Sequence, residues 1–213
     1  SNATFYIRPV INITQPDSSY IAVAHNSSTP VRWTWTSNKT IGDVKIQYNT
    51  GGGWTNITEV PVGYGANYTW SPYVPDITCN NNTRIRVYDL ANENVTDDSN
   101  GTFTIISNLK VTIPDNGTQI WKAGSSHDIE WTQYAATKID IKYSLNNTTG
   151  PWENITENCN TVSKDGVYGW TIPSNVSVSN KVLIKIQEAS ASWINGWVND
   201  TSDNVFNITA SFN

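Results

Sequence analysis

Methionine is absent, leucine occurs four times, cysteine and histidine twice each, and charged residues make up only 15% of the 213 positions. Each shortage excludes something. Without Met and with so little Leu there is little material for amphipathic helices, and no segment of helical period stands out. No apolar run approaches the roughly 20 residues that a membrane-spanning helix needs. The two histidines, His25 and His127, have no second His or Cys at ligand spacing, so no zinc site is readable and both are expected to be solvent-facing or satisfied. Thirteen scattered basic residues against eighteen acidic ones give a net charge of −5, which argues against a phosphate-binding surface for nucleic acid. Gly51-Gly52-Gly53 lacks the following Lys-Ser/Thr of a phosphate loop and reads as a hairpin turn, and no Gly-x-Ser-x-Gly elbow occurs.

What is abundant favours pleated structure: ten Trp and ten Tyr accompany many Thr, Val and Ile. The chain also repeats itself. Ile13, Pro16, Asp17, Val31 and Trp33 return 98 positions later as Val111, Pro114, Asp115, Ile129 and Trp131, and Trp54-Thr-Asn56-Ile57-Thr58 returns as Trp152-Glu-Asn154-Ile155-Thr156. Tyr68-Thr-Trp70 answers to Tyr168-Gly-Trp170 and Phe103-Thr-Ile105 to Phe206-Asn-Ile208, with a drifting offset that places insertions in loops. A period near one hundred residues is a domain rather than a solenoid unit.

Short alternating runs separated by Gly, Asn and Asp clusters follow one another through both halves, at Val10 to Thr14, Val31 to Trp35, Val44 to Tyr48 and onward. Seven or eight short strands per hundred residues predict an all-β sandwich of about seven strands in each of two domains, residues 4–107 and 108–213. Inward alternation predicts Ile129, Trp131, Ile139, Ile141, Tyr143, Ile184, Ile186 and Phe206 as the second core, and makes Trp33, Trp70, Trp131 and Trp170 core residues. Residues 1–3 read as an expression scar on an excised fragment, so any signal peptide or anchor is expected outside it.

The most pronounced bias is Asn followed at the second position by Ser or Thr. About sixteen such sequons occur where independent frequencies would give about six, and an Asn-rich, Thr-rich composition does not by itself triple the count. They predict a secreted N-glycoprotein of the cell surface, with turn sequons such as Asn38, Asn116 and Asn146 as glycosylation candidates.

Pro-x-x-Gly, Ile120-Trp-Lys-Ala-Gly124, Ile129-Glu-Trp131, an Ile-Asp-Ile strand, Tyr168-x-Trp170-x-Ile-Pro and a closing Ser202-Asp-x-x-Phe206-x-Ile resemble the serine/threonine-rich GPI-anchored family of the KRE/KNH type. Its fungal members assist cell-wall β-glucan assembly, and similar modules recur in tandem on prokaryotic surface proteins. The resemblance covers Leu109 to Thr209 and implies immunoglobulin/fibronectin-III-like, non-catalytic extracellular domains. The first half departs from it: Val23-Ala-His replaces Trp121-Lys-Ala, and Asn26 stands opposite Gly124.

Few residues invite a chemical role. Glu130 and Glu188 are the one carboxylate pair considered for a glycosidase, without a cleft motif around them. Asp97-Asp98-Ser99 and Asp200-Thr-Ser202-Asp203 precede the last strand of each domain and read as Asx-type turns rather than calcium loops. Cys79 and Cys159 break the repeat, and strand parity puts them in an E-to-F loop and a C′-to-E loop facing one another, which allows an interdomain disulfide. Trp193 and Trp197 have no counterpart in the first copy and fall in a long hairpin, either packed against the first domain or forming a sugar-stacking platform. The expectation is therefore a structural or adhesive module of a cell-envelope protein, with a carbohydrate-binding module using Trp193 and Trp197 as the alternative. No cofactor or metal is expected, and the expected partner is a cell-envelope polysaccharide or a neighbouring surface protein.

Overall fold

The computed structural model describes residues 8–36, 41–61, 65–160, 164–189, 192–193 and 197–211. The chain divides into two compact units, Ser1–Ile106 and Ser107–Asn213. Apart from one 3₁₀ turn at Asn147–Thr149, all regular structure among the described residues is β.

The first unit runs β1 (Val10–Gln15), β2 (Ile21–Val23), β3 (Pro30–Thr36), β4 (Val44–Asn49), β5 (Thr55–Val60), β6 (Asn67–Thr69), β7 (Cys79–Asp89), β8 (Asn92–Asp98) and β9 (Phe103–Ile106). The second runs β10 (Asn108–Ile113), β11 (Ile120–Lys122), β12 (Ser126–Tyr134), β13 (Lys138–Ser144), β14 (Glu153–Asn160), β15 (Asp165–Thr171), β16 (Ser179–Glu188), β17 (Asn199–Thr201) and β18 (Phe206–Thr209). Strand for strand the order matches. One sheet of the first unit is β1-β3-β6 and the other β2-β9-β7-β4-β5 with β8 also on β7; in the second unit they are β10-β12-β15 and β11-β18-β16-β13-β14 with β17 on β16. Even the single parallel pairing recurs, β2 on β9 and β11 on β18. Each unit is an immunoglobulin-like sandwich.

Nine strands per unit stand where about seven were expected, because the first and last strands are each broken in two. β8 and β17 are the pieces that alternation does not reveal. Asn92-Glu-Asn-Val-Thr-Asp-Asp98 and Asn199-Asp-Thr201 are poor strand formers, and they are extended only because β7 and β16 offer them a ladder.

Alternation does fix the core. Trp33 and Trp131, Ile46 and Ile141, Ile85 and Ile184, Phe103 and Phe206 are all essentially removed from solvent, each such side chain contributing about 1.5–3 kcal/mol of hydrophobic stabilisation. Of the expected second core only Tyr143 is half-exposed. It leans on Trp170 at 5.0 Å between ring centroids, as Tyr48 leans on Trp70 at 5.1 Å.

The repeat register is corrected by one residue near β2. Ala22 opposes Ile105 as Trp121 opposes Ile208, so Ala22, not Val23, is the counterpart of Trp121. It follows that His25, not Asn26, occupies the position of Gly124. Both have left-handed backbone, φ 57° and 80°, and both donate their N–H across the sandwich end, to Val74 and Ile172.

Candidate functional site

Most residues that attracted attention in the sequence serve the fold. Asp97 and Asp200 are structural stitches: their carboxylates accept the backbone N–H of Ile13 at 2.7 Å and of Val111 at 2.8 Å, tying β8 to β1 and β17 to β10 and so one sheet to the other. Burial raises the Asp200 carboxyl above its ordinary range, although the Val111 N–H and nearby Lys110 work the other way. The neighbouring serines repair the broken last strand. Ser99 and Ser202 accept the N–H of Ile85 and Ile184 on their hydroxyls, both at 3.2 Å, while their own N–H groups bond the carbonyls of the same residues.

Glu130 and Glu188 do not share a groove. Glu130 lies in the β10-β12-β15 sheet, whereas Glu188 is fully buried in β16 of the other. His127 stacks on Trp121 with centroids 4.6 Å apart, and burial lowers its pKa. Its Nε2 lies 2.8 Å from Ser125 Oγ, but that hydroxyl donates to the Lys122 carbonyl at 2.6 Å, so the serine proton is not aimed at the imidazole. His25 stacks on Tyr73 at 4.1 Å. Among the described residues no group of three His, Cys, Asp or Glu is placed to hold a metal ion.

The expected disulfide is absent and its premise is corrected. Cys79 is the first residue of β7 and Cys159 belongs to β14, so both are in strands rather than loops, and both are free thiols. Each is half-buried against its own sheet, opposite Ile105 and Ile139 respectively, and burial pushes the Cys159 thiol up. Of the two hairpin tryptophans, Trp193 is half-buried and Trp197 is 56% exposed. Residues 190–191 and 194–196 around them lie outside the described residues, as does Asn38. Asn116 and Asn146 are both exposed in turns.

A feature that the sequence reading missed is a row of side chains crossing the solvent face of the larger sheet in each unit. In the first it is Asn56, Gln47, Arg86 and Asp98, register neighbours across β5, β4, β7 and β8. In the second it is Asn154, Lys142, Lys185 and Thr201 across β14, β13, β16 and β17. An indole flanks each row. The Arg86 guanidinium lies 4.1 Å from the Trp54 ring centroid and the Lys185 ammonium 3.9 Å from that of Trp152. The two rows differ in charge. Arg86 is neutralised by a bidentate pair with Asp98, Nε to Oδ1 at 2.7 Å and the second nitrogen to Oδ2 at 3.0 Å, and Gln47 donates to Asn56 at 2.8 Å. In the second row Thr201 replaces the carboxylate and Lys142 the amide, so two ammonium stems stand side by side. Burial and the adjacent Lys142 lower the Lys185 pKa. The exchange of Asp98 for Thr201 is legible where Asp97-Asp98-Ser99 is set against Asp200-Thr201-Ser202, at an offset of 103 rather than the 98 of the Trp54 and Trp152 motifs.

No family model matches the chain, and no curated protein matches it. Among solved structures it is similar to the titin domains Z1Z2 in complex with telethonin, at 9% identity and a TM-score of 0.29, covering 98% of this chain and all of that one. It is also similar to the insect immune protein hemolin, at 13% identity and a TM-score of 0.44, covering 98% of this chain and 49% of that one. A third is the titin tandem A164-A165, at 8% identity and a TM-score of 0.30, covering 95% and 100%. At these identities the likeness concerns fold alone, and the strand order defines the class: tandem immunoglobulin-like β-sandwiches.

Proposed function

We propose that this chain is a non-catalytic structural or adhesive part of an N-glycosylated cell-envelope protein. The observation that carries the reading is where the sequon asparagines lie. Of the fifteen outside the scar, fourteen are described; twelve are exposed, Asn26 and Asn207 are half-buried, and none is buried. A glycan needs its asparagine on the solvent side of the pleat, and the strand sequons Asn12, Asn56, Asn67, Asn94, Asn154 and Asn199 all meet that condition. The resemblance to KRE/KNH-type wall proteins supports the same compartment, and the polar rows give such a module surfaces for neighbours.

Intact mass spectrometry of the protein from its native host tests the reading. Several discrete glycan increments above the 23.6 kDa polypeptide are expected, removable by peptide N-glycosidase. A mass equal to the bare chain would sink it, as would turnover in a broad hydrolase screen. The exposure of Trp197 favours a second reading, a sugar platform on the β16–β17 hairpin. Quenching of tryptophan fluorescence by soluble glucans, lost in Trp197→Ala, is its expected signature.

A further inference from the structure

The lysine row of the second unit is built like a neutral row from which the neutralising groups have been taken away. Lys142 and Lys185 are register partners on adjacent antiparallel strands, where neighbouring stems stand about 5 Å apart. Like charges at that spacing repel, and a bound anion would relieve the repulsion. The first unit shows what relief looks like on the same scaffold, with Asp98 bound by Arg86 through two hydrogen bonds. Among the described residues of the second unit none takes that place. Asp140, two residues before Lys142, keeps its charge but turns its oxygens elsewhere: one accepts the Asn158 N–H at 2.9 Å and the other the Gln187 amide at 3.0 Å. Glu157 accepts from Asn154 at 2.6 Å, and Glu153 is exposed opposite Tyr143. The Lys45–Glu59, Arg86–Asp98 and Lys110–Asp203 pairs all lie elsewhere.

We propose that Lys142, Lys185, Thr201 and the half-buried indole of Trp152 form a binding site for an acidic polysaccharide, the two ammonium groups taking a carboxylate or sulfate oxygen pair and the indole an adjoining sugar ring. Two donors on separate stems suit an anion with two or more oxygens, and the Thr201 hydroxyl supplies a further donor. An aromatic surface beside a cation pair fits a charged sugar better than an acidic peptide, because the C–H face of a pyranose packs on a ring. The net charge of −5 disfavours general polyanion adsorption. The site rests on the surface-module reading and deepens it by naming the class of envelope partner; it takes the sugar where Asn154 and Asn199 carry no glycan, and it moves sugar binding away from Trp193 and Trp197.

The test uses unglycosylated full chain from a bacterial host, since Asn154 and Thr201 each belong to a sequon. Titration calorimetry is run with oligogalacturonate, with heparin-derived oligosaccharide, with neutral β-glucan oligomers and with oligoglutamate. Binding of one or both acidic sugars is expected, weakening steeply between low and physiological salt. Lys185→Gln and Lys142→Gln are each expected to weaken it about tenfold or more, as loss of a charge-assisted contact does. Thr201→Asp, which imports the first unit's carboxylate, abolishes binding while leaving the melting curve unchanged; Thr201→Ser and Trp197→Ala bind as the parent does. The proposal is overturned if Thr201→Asp binds normally, if neutral glucan or oligoglutamate binds as well as the acidic sugars, if Trp197→Ala alone loses binding, or if no acidic sugar binds. None of these outcomes touches the glycan increments that decide the surface-module reading.

Discussion

Trp131 takes so much of the second core that its cross-strand partner, Gly166, has no room for a side chain: a Cβ there would lie 2.1 Å from Cε2 and 2.4 Å from Nε1 of the indole. The first unit escapes this because Ala66, at the matching place, lies one residue before β6 begins. Gly166→Ala should therefore cost about 1–3 kcal/mol through overpacking, read as a lowered melting transition of the second unit, whereas Gly53→Ala, with nothing within 4 Å, should leave melting unchanged. His127 makes a second test. Burial holds its folded pKa below the ordinary 6.5, with Asp128 opposing, so the unfolded chain takes up the proton first. The stability this histidine contributes is full above pH 6.5 and is lost as pH falls through the lowered value. Calorimetry should show the second unit melting earlier at pH 5.5 than at pH 7.5, and His127→Gln should reduce that difference.

The broken last strand is the element on which both units depend, since β8 with β9 and β17 with β18 each need a serine at the break. Removing the hydroxyl in Ser99→Ala or Ser202→Ala leaves the N–H of Ile85 or Ile184, both fully buried, without its acceptor. A loss of about 1–3 kcal/mol per site is expected, with amide hydrogen exchange quickened at Ile85 or Ile184; unchanged exchange would mean the ladder re-forms without the hydroxyl. Alternation made β1, β3, β4 and β13 legible, because their inward residues are Val, Ile and Trp. β8 and β17 were not legible, and neither was the role of Asp97 or Asp200: the N–H each serves belongs to a residue more than eighty positions away, so only the folded sandwich brings them together. The one-residue slip at Ala22 and His25 had a similar cause. An extra residue on one side of β11 is compensated on the other, and both changes fall in turns where residue identity is loosely constrained.

At the scale of the whole molecule, the duplication was readable from Trp, Tyr and Pro spacing alone, and the sandwich followed from strand density. The lysine row was not, because each half taken singly shows only a scattered charge, and the meaning lies in the difference between two superimposable faces. The sequons allow a last prediction, since their number was plain in the sequence but their surroundings were not. Asn207 is half-buried in β18, beside exposed Ile120 and Val178 and close to Ala210, and Asn26 is half-buried in the loop after β2. Asn116 and Asn146, by contrast, are exposed in turns, the Asn116 Oδ1 accepting the Thr118 N–H at 3.0 Å. A glycan at Asn207 would have to pass the apolar side chains of Ile120 and Val178, whereas Asn116 and Asn146 are themselves exposed. In protein from a glycosylating host, site-resolved glycopeptide mass spectrometry should therefore find Asn116 and Asn146 occupied more fully, and with more processed glycans, than Asn26 and Asn207. Processing enzymes act on the folded surface, so the degree of processing reads side-chain access even where attachment preceded folding. Equal processing at all four sites would show that the side chains beside β18 do not restrict access.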